Sequence, residues 1–67
     1  MSVADALLDG ACAAAKAGDA ALAVSCLVAA GRELEAAQRY YESRLAFALA
    51  RDIARDAANT TPEVPGE

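Results

Sequence analysis

The chain has 67 residues, a net charge of −4 at neutral pH and 57% hydrophobic residues, of which twenty are alanines. One domain of this length is near the lower limit for a self-sufficient core, and alanine adds little buried area, so we expect stability to depend on assembly. The acidic balance argues against generic binding to nucleic-acid phosphates. With no histidine and no glycine-rich loop, the sequence predicts no enzyme, no metal site and no cofactor.

The N-terminal segment predicts neither export nor membrane insertion. It has no cationic start, and Asp5 and Asp9 interrupt its apolar residues. Lys16 and Asp19 interrupt the only other apolar run of comparable length. We therefore expect a cytoplasmic protein with no membrane segment.

Helical patterns dominate the chain, and no useful stretch alternates with period two, so the predicted fold class is all-α. The first helix is predicted from Ser2 or Val3 to Ala17, with Ser2 as its N-cap. Gly18 and Asp19 have the chemistry of a C′ glycine followed by an N-cap aspartate. Together they predict a turn that makes an antiparallel helical hairpin.

The second predicted helix, 20–30, is apolar on nearly all sides because Ser25 is its only polar side chain. Such a helix has to be enclosed by other protein or by lipid. Gly31 is predicted to end it, and a long third helix covers 33–58. The remaining residues, 59–67, contain two prolines and two acids and predict a disordered acidic tail after a single helical domain, 1–58.

A competing arrangement has no turn at Gly18. One helix then runs from Val3 to Ala30, and Gly31 closes a hairpin against 33–58, because an internal glycine costs a helix only about 1 kcal/mol. Two arms of similar length suit a hairpin that dimerises into a four-helix bundle. In either arrangement we expect the helical unit to dimerise.

The stretch from Ala14 to Gly31 resembles the helix-turn-helix unit of ankyrin and tetratricopeptide repeats. In the second helix of the tetratricopeptide unit, the matching positions are Gly18, Asp19, Ala23, Leu27 and Ala30. The resemblance implies a helical hairpin that binds protein.

Two apolar stripes lie about 120° apart on the predicted third helix, which gives this helix two surfaces to pack. The simplest interpretation is that one stripe meets the first two helices and the other meets a second copy or a foreign protein. The first stripe contains Leu34, Ala37, Tyr41, Leu45 and Ala48, and the second contains Ala36, Tyr40, Phe47, Ala50 and Ala54.

All three aromatic residues fall in this segment, and aromatic side chains often anchor interfaces. Arginines flank the second stripe and could bind an acidic protein groove, or nucleic acid by stacking and phosphate contacts. The predicted partner-binding residues are Tyr40, Arg44, Phe47 and Arg51. The residues predicted for internal packing or self-association are Leu22, Cys26, Leu34, Tyr41 and Leu45.

Cys12 and Cys26 are too few for a zinc site. A turn at Gly18 would bring them to one level of a hairpin, where a disulfide is possible if their side chains converge. In a single continuous helix they would be about 21 Å apart and unable to bond. The favoured interpretation is two small buried apolar residues that remain reduced.

The functional hypothesis is a non-enzymatic protein-protein interaction module, an accessory, regulatory or inhibitor protein that binds a partner through its long C-terminal helix. The first alternative is a nucleic-acid-binding or transcription-regulating dimer that uses the arginine row. The second alternative is a structural subunit or co-chaperone of a larger assembly.

Overall fold

The computed structural model describes residues 2–59, and this part of the chain forms three α-helices joined by two short turns. Helix α1 is Val3–Lys16, α2 is Ala20–Ala36 and α3 is Tyr40–Asn59. The all-α prediction is confirmed. The predicted disordered tail begins at the last residue of α3, and its other residues, 60–67, lie outside the described part.

The first turn is the one that the sequence predicts, so the single long helix from Val3 to Ala30 is wrong. Ser2 caps α1 by accepting a hydrogen bond from the backbone N–H of Asp5, at 3.1 Å. Gly18 takes the left-handed conformation, with φ of 80°, in which an L side chain is strained. The Asp19 carboxylate then accepts from the N–H of Leu22, at 3.0 Å, and starts α2.

The second turn is later than predicted, because α2 continues through Gly31 and ends at Ala36. The N–H of Arg39 donates to the carbonyl of Leu34 at 2.8 Å, and the N–H of Gln38 donates to that of Glu35 at 2.9 Å. The N–H groups of Asp19 and Gly18 bond in the same way to Ala14 and Ala15. Both turns are therefore the same Schellman-type helix ending.

Gly31 is a point of close contact between helices and not a helix end. The Ser43 hydroxyl of α3 donates to the Gly31 carbonyl at 3.0 Å, in a buried position. A Cβ atom at Gly31 would lie 2.6 Å from the Phe47 ring, so the ring rests on the bare backbone of α2. The packing of α3 on α2 at this point is the physical reason why the helix passes through a residue with low helix propensity.

Helix α2 is central, because it packs against both α1 and α3. Leu27 and Leu34, two turns apart, each group with small buried residues from both outer helices. Seven of the nine buried hydrophobic residues are alanines, and no large side chain of the described residues is fully buried. The hydrophobic residues of this core are Ala4, Ala11, Ala14, Ala23, Leu27, Ala30, Leu34, Ala46 and Ala50.

The two outer helices do not pack on each other. No Cα atom of α1 lies within 8 Å of a Cα atom of α3. A closed bundle has helix axes 8–10 Å apart, which brings many Cα atoms closer than that. The nearly all-apolar segment of α2 is thus enclosed only partly, with Ala21, Leu22 and Ser25 exposed.

Candidate interaction groove

An apolar groove of about 240 Å³ lies between α1 and α3, with Leu27 of α2 beneath it. Residues four and seven apart on α1 form one wall, and residues four apart on α3 form the other, so each wall is a single helix face. We call this feature the α1–α3 groove. Its lining residues are Leu8, Ala11, Cys12, Ala15, Leu27, Leu49 and Ile53.

The α3 wall carries large apolar side chains that the chain itself does not cover. Leu49 is 52% exposed, and Leu45, one turn earlier on the same face, is 48% exposed. Tyr41, another turn earlier, is 76% exposed. Full burial of an exposed Leu side chain contributes roughly 1.5–3 kcal/mol, so covering the exposed half of Leu45 or Leu49 would contribute about half of that.

Acidic side chains predominate beside the groove. On a helical wheel, Glu42, Asp52 and Asp56 lie within about 60° of Leu49, whereas Arg44 and Arg51 lie more than about 120° from it. On α1, Asp5 and Asp9 lie on the side of Cys12. Three bases lie near these five acids, which gives the groove edge a net charge of −2. The bases are Lys16, Arg39 and Arg55.

One ion pair lies at the N-terminal end of α3. Arg39 donates from Nε and from Nη2 to the two carboxylate oxygens of Glu42, both at 2.6 Å. This hydrogen bonding lowers the pKa of Glu42 and raises the pKa of Arg39. The negative charge of Asp5 opposes the lowering of the pKa of Glu42.

A second depression lies between the N-terminal half of α2 and the C-terminal half of α3. It is lined by alanines and one valine, Val24, and its volume is about 390 Å³. It has no Leu, Ile or aromatic side chain to anchor a partner. The α1–α3 groove is therefore the stronger candidate.

The four residues predicted for partner binding lie on the other flank of α3, and they do not form one exposed surface. Tyr40 is 57% exposed, and Arg44 and Arg51 are also exposed. Phe47 is only half-exposed because its ring covers Gly31.

The residues predicted for internal packing or self-association have different environments. Leu34 is 2% exposed and belongs to the core. Leu22 is 51% exposed on α2, away from the groove lining. Leu45 lies one turn before Leu49 on α3, Tyr41 is exposed on the outer face of this helix, and Cys26 is half-buried.

The two predicted stripes of the third helix require correction, because Leu34, Ala36 and Ala37 precede α3. The buried face of α3 consists of Ser43, Ala46 and Ala50. It includes Ala50 of the second predicted stripe, so the buried face overlaps that stripe, and Tyr40 and Phe47 flank it on the side away from α1. Tyr41, Leu45 and Ala48 of the first stripe are exposed.

The cysteines do not pair, although the hairpin that would bring them level is present. Cys26 faces Gly10, where an added Cβ atom would be 3.5 Å from its sulfur. Cys12 is exposed along the groove, so the prediction that it is buried is wrong. The reason is that α3 stays too far from α1 to cover it.

Sequence reasoning missed the α1 wall and Leu49. The signal was present: Leu8, Cys12 and Ala15 follow a helical spacing, as do Leu45, Leu49 and Ile53. The predicted third helix begins at residue 33, inside α2, so the predicted stripes combine residues of α2 and α3.

Within residues 2–59, no three side chains of His, Cys, Asp or Glu come together in a way that would hold a metal ion. None of the three helices in this part of the chain has the length and hydropathy needed to span a bilayer. No protein-family model matches the chain, and no curated protein or solved structure matches it significantly.

Proposed function

We propose that this chain is a non-enzymatic protein-protein interaction module that binds a partner through the α1–α3 groove. The observation that carries the proposal is the row of uncovered apolar side chains, Tyr41, Leu45 and Leu49, beside an apolar groove. Contiguous apolar surface of this kind typically marks an interaction site. Accessory, regulatory and inhibitor proteins all act by such binding.

The composition of the core supports the same proposal. An alanine-rich core leaves little margin of stability in a domain of this size. A partner that binds only the folded form stabilises it by mass action. The proposal includes a cytoplasmic location, since a reducing compartment suits two unbonded thiols.

The proposal can be tested by site-specific photo-crosslinking in cells that make the protein. A photoreactive amino acid replaces Leu49 in one variant and Arg44, on the opposite flank of α3, in the other. We expect the probe at position 49 to crosslink a discrete protein and the probe at position 44 to crosslink none.

Competition makes the result specific for the groove. Excess unlabelled wild-type protein should suppress the crosslink from position 49, and so should Ala13→Glu, because Ala13 is exposed on α1 and lies outside the groove lining. Leu45→Glu should not suppress it. A crosslink from position 44 alone would transfer the binding role to Tyr40, Arg44 and Arg51, and no crosslink from either position would refute an interaction module.

A further inference from the structure

We infer that the partner segment bound in the α1–α3 groove is an amphipathic helix whose apolar stripe is flanked by Lys or Arg. This inference rests on the proposed function and adds the chemistry of the partner. It is argued from the shape of the groove, the charge at its edges and the side chains that a second copy could offer.

The shape of the groove fits a helix. Its walls are two helices that run in the same direction, since both are antiparallel to α2 and joined to it by short turns. An elongated occupant laid between them would face α1 and α3 together and complete a four-helix arrangement. The apolar face of a helix supplies anchors at i, i+3, i+4 and i+7 for such a groove.

The floor and the α1 wall consist largely of small side chains. Ala11, Cys12 and Ala15 leave space above Leu27. Small residues allow the backbone of another helix to approach closely, so that larger side chains of the partner can reach Leu27. The occupant must therefore bring its own Leu-sized side chains.

The charge at the groove edges selects the polar flanks of that helix. Asp5 and Asp9 lie on the α1 edge, and Glu42, Asp52 and Asp56 lie on the α3 edge. Two of these acids, Glu42 and Asp52, form ion pairs with arginines of this chain, and the three bases nearby leave a net charge of −2. A helix with basic residues on both sides of its apolar stripe would complement both edges, whereas acidic flanks would be repelled.

A second copy of this chain fits the groove poorly. If two grooves faced each other, their acidic edges would be opposed. The cationic flank of α3, with Arg44 and Arg51, has Tyr40 and Phe47 beside it, and the Phe47 ring is packed on Gly31. Tyr40 is then the one large apolar side chain that this flank offers, whereas a helix in the groove needs several such anchors, so the occupant is a foreign protein.

Cys12 permits a direct test, because it is an exposed thiol in the lining of the groove. Cys26→Ala leaves Cys12 as the single thiol of the full chain. Two synthetic helical peptides carry the same Leu stripe with one central cysteine, and their flanking positions are either Lys or Glu. Each peptide is equilibrated with the protein in a buffer of reduced and oxidised glutathione, in which oxidised glutathione is the oxidant. The fraction of protein–peptide mixed disulfide is then measured.

The matched control moves the thiol out of the groove while keeping the overall charge. It carries Cys26→Ala, Cys12→Ala and Ala13→Cys, and residue 13 is exposed on α1 but is not part of the groove lining. The general attraction between a cationic peptide and an acidic protein is the same at both positions. Only the difference between the peptide preferences at Cys12 and at position 13 reports binding in the groove.

At Cys12 we expect the Lys-flanked peptide to be preferred over the Glu-flanked one by about tenfold, as several surface ion pairs of a few tenths of a kcal/mol each would give. At position 13 we expect a preference of less than about threefold from long-range attraction alone. Added salt should reduce the preference at Cys12. Circular dichroism should show that the tethered Lys peptide gains helicity.

Equal preferences at the two positions would overturn the basic partner, and a tethered peptide that stays non-helical would overturn the helix. If neither peptide formed more mixed disulfide at Cys12 than at position 13, the groove would not hold a helix at all. These results are separable from the proposed function, which stands or falls on the crosslink from position 49.

Discussion

At the scale of single residues, the contact between Gly31 and Phe47 explains more than any other pair. The ring lies where a Cβ atom of residue 31 would be, and Ser43, one turn before Phe47, donates to the Gly31 carbonyl. Glycine is required here for space and not for its backbone conformation, because Gly31 lies inside the helical backbone of α2. The sequence shows a glycine between two helical segments, and the ordinary interpretation of that pattern is a helix end.

This contact predicts a reversal of sign in a double-mutant cycle. Gly31→Ala alone should destabilise the protein by about 1 kcal/mol, because displacement of the ring outweighs the gain of about 1 kcal/mol in helix propensity. In the Phe47→Ala background the same change should stabilise the protein by up to about 1 kcal/mol. Urea unfolding of the four proteins measures both values, and an equal effect in the two backgrounds would show that the ring does not rest on Gly31.

The ion pair of Arg39 and Glu42 predicts a pH dependence. The pKa of Glu42 is lower in the folded state than the unfolded value of about 4.3. The ionised Glu42 therefore contributes fully to the free energy of unfolding above that value, and this contribution is lost as the pH falls through the lower folded value. Chemical unfolding of the wild type and of Glu42→Gln should differ most near neutral pH and converge below about pH 4. A difference that stays constant from pH 7 to pH 3 would mean that the carboxylate has no role in it.

At the scale of helices and turns, the accuracy of prediction follows the presence of specific turn chemistry. The first turn has Gly18 at the left-handed position and Asp19 as N-cap, and it was predicted correctly. The second turn has Gln38 at the equivalent position, with φ of 63°, followed by Arg39. Neither residue type is a turn signal, so local sequence gave no reason to end α2 there.

Gln38→Gly should therefore stabilise the protein. A non-glycine residue in the left-handed conformation costs about 1–2 kcal/mol, and glycine removes this cost. Glycine also makes the unfolded chain more flexible, which opposes the gain, so we expect the free energy of unfolding to rise by about 0.5 kcal/mol. Ala37→Gly is the matched control, because Ala37 has φ of −85° and gains nothing from glycine, so this change should destabilise. A rise in unfolding midpoint for Ala37→Gly but not for Gln38→Gly would mean that the turn has another geometry.

At the scale of the whole molecule, the sequence predicted the fold class and the hairpin but not the position of the open surface. The nearly all-apolar segment of α2 indicated that helices would enclose it, and α1 and α3 do so on two sides. The groove arises because α1 and α3 remain apart, and this depends on the contacts that each outer helix makes with α2. Such long-range geometry is not contained in the periodicity of any one helix.

If a foreign protein, and not a second copy, covers the α1–α3 groove, the purified chain should be a monomer. Sedimentation equilibrium of the wild type and of Leu49→Glu, with circular dichroism at the same concentrations, measures the oligomeric state and the helicity together. We expect both proteins to be monomers from micromolar to near-millimolar concentration and to have the same helicity. A wild-type dimer that Leu49→Glu converts into a helical monomer would contradict it, because the groove would then be the interface between two copies of this chain.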